Sequence, residues 1–62
     1  MRHLFVVGEK VVLSESMKKV VEEPEKYQIG IVQCVGSWNI VYVKWNGIDR
    51  AIGMRYGEIV DI

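Results

Sequence analysis

Side chains able to act as nucleophiles, proton carriers or metal ligands are few here, and they are scattered. The chain has one histidine, His3, and one cysteine, Cys34. His3 has no second ligand or nucleophile near it in sequence, so it reads as a surface residue. No base or cation stands beside Cys34 to lower its thiol pKa, and a buried, inert thiol is expected. Glu22, Glu23 and Glu25 lie among lysines in a polar segment and read as a solvated face. There is no glycine-rich phosphate loop, no serine or cysteine placed beside a histidine, and no carboxylate series at metal spacing. No catalytic residue, metal site or cofactor is therefore expected, and the protein reads as non-enzymatic.

What remains is chemistry of recognition. Tyr27, Trp38, Tyr42 and Tyr56 are amphipathic aromatics, and Lys44, Arg50 and Arg55 supply cations in the same half of the chain. Trp, Tyr and Arg are the residue types that most often dominate interface energy. Tyr27, Trp38, Tyr42, Arg50, Arg55 and Tyr56 are accordingly the expected partner-binding residues. Trp45 sits mid-pattern in an apolar run and is assigned to the core.

The element that must position them is residues 29–54, IGIVQCVGSWNIVYVKWNGIDRAIGM. Three runs rich in β-branched and aromatic residues are broken at Gly36-Ser37 and at Asn46-Gly47. An Asn-Gly pair between such runs signals a type I′ hairpin, which needs φ > 0 at both central residues. With that two-residue loop joining strands 39–45 and 48–54, Trp45 faces Ile48, Val43 faces Arg50, and Val41 faces Ile52. The other face pairs Lys44 with Asp49, Tyr42 with Ala51 and Ile40 with Gly53. The core is then lined by Val41, Val43, Trp45, Ile48 and Ile52, with Tyr42 outward. Arg50 lies at an open end or snorkels past Trp45.

Upstream, Gly8 marks a turn or bulge before a first strand at residues 11–13. Residues 14–26 change character: Met17, Val20 and Val21 follow helical spacing, Ser14 or Ser16 offers a cap, and three Glu–Lys i,i+4 pairs are available. Pro24 ends any helix near Glu23. This stretch is a charged surface connection holding either a loop or a short helix. A second strand is expected at residues 27–35, where Gly30 signals a bend or a close backbone approach. Arg55-Tyr56-Gly57 suits a tight or 3₁₀ turn before a last short strand at residues 59–62.

Sixty-two residues, half of them hydrophobic, make one domain over 1–62 with a small core. No apolar run reaches the ~20 residues needed to span a bilayer, and no secretory leader is evident. One cysteine allows no internal disulfide, which fits a reducing, cytoplasmic setting. Formal net charge is zero, so attraction to nucleic acid or anionic membrane is not written into the composition. A modest basic face remains, because Lys44, Arg50 and Arg55 stand against Asp49 alone between residues 37 and 57.

Several fragments resemble the SH3-like small β-barrel group. Val6-Val7-Gly8-Glu9-Lys10-Val11-Val12 is similar to the opening of KOW, Tudor and related domains. Gly30-Ile31-Val32 resembles their second strand, Val41-Tyr42-Val43-Lys44-Trp45-Asn46-Gly47 their hairpin, and Tyr56-Gly57-Glu58-Ile59 their closing turn. The resemblance implies an all-β, five-stranded SH3-like barrel with a long first connection at residues 14–28. Short chains of this kind also look like accessory proteins of phages or mobile elements. Plasmid-encoded (type II) dihydrofolate reductase is a barrel of this size, but only a tyrosine of its Val-Gln-Ile-Tyr run recurs near residues 52–56, so that chemistry is not carried over.

Neutral charge, the aromatics and the few cations leave two functions open. One is a protein-interaction module, with self-association also expected of so small a core. The alternative is a nucleic-acid-binding module using Lys44, Arg50 and Arg55 on phosphates and Trp38 or Tyr42 for stacking. A salt titration separates them: binding through several phosphates falls steeply with salt, whereas an aromatic protein interface is nearly indifferent.

Overall fold

The computed structural model describes residues 5–62; His3 lies outside the described residues. Runs of β-branched and aromatic residues become five strands: β1 (Lys10–Leu13), β2 (Gly30–Val35), β3 (Ile40–Trp45), β4 (Ala51–Arg55) and β5 (Ile59–Asp61). They form one antiparallel sheet in the order β4-β3-β2-β1-β5. No ladder joins β4 to β5 among the described residues, so these two strands are the edges of the sheet.

Alternation decides which residues are buried. Val41, Val43 and Trp45 of β3 are fully buried, while Tyr42 between them points outward and is 43% exposed. Val11, Leu13, Val32, Met54 and Ile59 complete the core with Phe5, and Ile48 and Ile52 pack against its margin. Each fully buried Val, Leu or Ile contributes roughly 1.5–3 kcal/mol through apolar area removed from water. The fold rests on these side chains.

The connection from β1 to β2 does hold a helix, reduced to one turn, α1 (Glu15–Lys18). Ser14 caps it by accepting a hydrogen bond from the Met17 N–H at 3.4 Å. Met17 and Val21 pack against the core, whereas Val20 is exposed. The i,i+4 ion pairs expected here give way to i,i+3 pairs, Lys18 with Glu15 and Lys26 with Glu23, each at 3.3 Å. Pro24 opens a 3₁₀ turn, Pro24–Tyr27, where its fixed φ suits the first position. β2 therefore starts at Gly30, three residues later than the apolar pattern suggests.

The Asn46-Gly47 hairpin differs from expectation in an instructive way. Positive φ among the described residues is confined to Gly8, Trp38 and Asn39, so Asn46-Gly47 is not a type I′ turn. Trp45 and Ile48 still close a turn, with the Ile48 N–H donating to the Trp45 carbonyl at 3.1 Å. That turn docks onto the end of the long connection instead of feeding β4 directly. The Asn46 N–H donates to the Ile29 carbonyl at 2.9 Å and the Gly47 N–H to the Lys26 carbonyl at 3.1 Å. β4 begins only at Ala51, and the register moves by two residues: Val41 pairs with Met54, Val43 with Ile52, Tyr42 with Gly53, Lys44 with Ala51 and Ile40 with Arg55. A two-residue shift preserves the faces, which is why Val41 and Val43 are inward as expected. It abolishes the Lys44–Asp49 and Val43–Arg50 pairs. Arg50 lies in the loop before β4, exposed.

Two glycines are required by close approach. A Cβ on Gly30 would collide with the Val43 Cγ1 and stand 2.8 Å from Trp45 Cε3. A Cβ on Gly47 would stand 2.7 Å from the Lys26 Cα and 3.0 Å from its carbonyl oxygen. Overpacking of this kind costs about 1–3 kcal/mol. Gly30→Ala and Gly47→Ala should each lower the unfolding free energy by that amount, read as a fall in the denaturant midpoint at unchanged slope, and an unchanged midpoint for Gly47→Ala would remove the docking of this turn on Lys26 as a stabilising contact.

Candidate binding surface

The six expected partner-binding residues separate into three places. Tyr27 closes its 3₁₀ turn against the indole of Trp45, edge to face, with ring centroids 5.5 Å apart. It is half-buried and serves as a lid on the core. Arg50 is near this end, in the loop that follows the Asn46-Gly47 turn. Tyr42 occupies the middle of the outer face, its ring lying over Gly53 and beside Gly36. Trp38, Arg55 and Tyr56 gather at the other end.

That end is assembled by the sheet register. The β2–β3 hairpin closes through Ser37-Trp38-Asn39-Ile40, with the Ile40 N–H donating to the Ser37 carbonyl at 3.2 Å and the Gly36 N–H to the Ile40 carbonyl at 2.8 Å. Pairing of Ile40 with Arg55 brings the end of β4 beside this turn. A 3₁₀ turn, Tyr56–Glu58, follows, held by the Glu58 carboxylate, which accepts a hydrogen bond from the Arg55 backbone N–H at 2.9 Å. Tyr56 packs edge to face on Phe5 at 5.5 Å. Phe5, Arg55 and Tyr56, together with Asn39, Gly57 and β5, line a groove of about 530 Å³.

Trp38 is 92% exposed, and both Trp38 and Asn39 have φ of 62°. This is the φ sign that a type I′ turn requires at its two central positions, found eight residues before the Asn-Gly pair that advertised it. Asn tolerates the left-handed region because its short side chain bonds locally; an aromatic residue does not, and the conformation costs about 1–2 kcal/mol. One of the chain's two indoles is thus held in water on a strained backbone. Val6 and Val7, also exposed, sit in the turn before β1, which Gly8 closes at φ 92°. The Gly8 N–H donates to the Val32 carbonyl, so this turn runs alongside the distal half of β2, toward the Trp38 end.

Two expectations are corrected. Cys34 is exposed, not buried. The ladder between β2 and β3 slips between Val32 and Cys34, leaving Gln33 as an extra residue, and this bulge turns Cys34 to the same outer face as its partner Tyr42. Lys44 is committed rather than displayed: its ammonium donates to the carbonyls of Trp45, at 3.0 Å, and Ile48. Arg50 and Arg55, at opposite ends of β4, do not form a single cationic patch. Among the described residues, no group of three His, Cys, Asp or Glu side chains could hold a metal ion. Among the described residues, no helix is long and apolar enough to cross a membrane.

Sequence reasoning missed Asn39 and Phe5. The asparagine carried a usable signal, since an Asn just before a β-branched run is a standard left-handed turn residue. Phe5 carried none, because its role follows from where Tyr56 lands. Relief of strain at Trp38 is measurable: Trp38→Gly should stabilise the fold by about 0.5–1 kcal/mol, the gain at positive φ exceeding the entropy glycine adds to the unfolded chain. A loss of stability would remove the strain. No family model, curated protein or solved structure matches this chain.

Proposed function

We propose that the chain is a non-enzymatic binding module, a small SH3-like barrel that engages a protein partner through the end of its sheet bearing Trp38. The strand order, the long β1–β2 connection and the 3₁₀ turn before the last strand support the SH3-like reading. One observation carries the functional reading: a tryptophan 92% exposed in a left-handed turn. Strain of this kind persists where the arrangement has a use, and burying an indole in a partner's pocket is one. Arg55 and the groove beside Tyr56 extend the same surface with a cation and an apolar floor. Tyr42, half-exposed on the adjoining outer face, continues it.

Binding to nucleic acid through phosphates needs several cations in one place. With Lys44 bonded to carbonyls and the two arginines apart, the protein-partner reading has the better support.

The experiment is affinity capture from lysate, quantified by mass spectrometry, with the wild-type chain, Trp38→Gly and the pair Trp38→Ala/Tyr42→Ala as baits. The wild type should enrich a defined protein at salt-insensitive yield. Both variants should lose it while their circular dichroism is unchanged. Equal recovery by folded variants would show that Trp38 is not the anchor.

A further inference from the structure

We propose that the free edge of β5 is a self-association surface, on which a second copy of this chain adds its own β5 antiparallel to form a two-fold dimer. The Ser14 N–H donates to the Glu58 carbonyl at 2.9 Å and the Ile62 N–H to the Lys10 carbonyl at 3.3 Å. Residues 58, 60 and 62 therefore turn their backbone groups toward β1, in line with the pairing of Val12 with Val60. Backbone direction alternates along a strand, so Ile59 and Asp61 turn their N–H and C=O groups to the outer edge. No strand lies there among the described residues. An edge of unpaired donors and acceptors is a template for another strand.

Charge selects a second copy as the occupant. Place the two-fold axis at Val60, and Ile59 faces the partner's Asp61 while Asp61 faces the partner's Ile59. Each such pair exchanges its backbone hydrogen bonds, and no like charges stand opposite one another. Val60, 45% exposed, meets the partner's Val60 across the axis. The partner's Asp61 then enters beside Ile59, in the groove that Arg55 also lines. Neither Arg55 nor Asp61 makes an ion pair within the described chain. The symmetric arrangement gives both of them one, twice over. An isologous contact of this kind closes on itself and does not propagate into fibres.

The inference shares Arg55 and its groove with the partner-binding reading, but Asp61 belongs to dimerisation alone and Trp38 to capture alone, so either reading can fail without the other. Sedimentation equilibrium on the wild type and on charge-swapped variants tests it. The wild type should show a reversible, concentration-dependent doubling of its 7.1 kDa mass. Arg55→Asp and Asp61→Arg should each raise the dimer dissociation constant at least ~10-fold, and the double swap should recover it to within about threefold. Should Arg55→Asp weaken the fold by facing Glu58, Asp61→Arg at the exposed strand end carries the test. Trp38→Gly should dimerise as the wild type does. A wild type monomeric into the millimolar range, a dimer indifferent to both swaps, a double variant that fails to recover, or dissociation by Trp38→Gly would each overturn the proposal.

Discussion

The seating of one indole governs the rest of this structure. Trp45 ends β3 fully buried, and β2 can pass close to it only because Gly30 has no side chain. Tyr27 closes over the ring from the other side. To bring Tyr27 there, the long first connection must end in a 3₁₀ turn, and the Asn46-Gly47 turn then hydrogen-bonds to the backbone of that same segment. One large buried side chain thereby ties the connection, the start of β2 and the β3–β4 loop into a single packed end.

The opposite end is built differently, and the contrast carries the functional reading. There, among the described residues, the hairpin turn makes no backbone hydrogen bond to another segment of the kind Gly47 makes, and its tryptophan is solvated. Tyr27 and Tyr56 lend their rings to Trp45 and Phe5, so two of the four aromatics expected at a rim are mainly core lids. Trp38 and Tyr42 are left as the displayed pair. With a core this small, where every buried ring matters to stability, an indole held outside at a backbone cost is an expensive arrangement to keep without use.

Much of this was legible in the residues, but in parts of different quality. Strand parity was readable, because side-chain direction follows a strict period of two: Val41, Val43 and Trp45 inward, Tyr42 outward. Register was not, since it depends on where a turn ends, and that is decided by Lys26 and Ile29, far off in sequence. Asn46-Gly47 carried the strongest local hairpin signal, yet tertiary docking overrode it, and the left-handed turn formed at Trp38-Asn39, where an aromatic residue argues against it. The side of Cys34 was not readable, because a bulge at Gln33 exchanges inside for outside and nothing in Ile31-Val32-Gln33-Cys34 announces one. Arg50 and Arg55, close in sequence, are separated by the length of β4.

Two tryptophans divide the labour in this structure, and iodide quenching of fluorescence reads the division directly. In Trp38→Phe, the remaining Trp45 emission should be blue-shifted and nearly untouched by iodide, whereas in Trp45→Phe, provided that variant folds, Trp38 should emit as in water and be strongly quenched. Emission from Trp45 that is red-shifted and freely quenched in folded Trp38→Phe protein would contradict the buried seat on which this architecture depends.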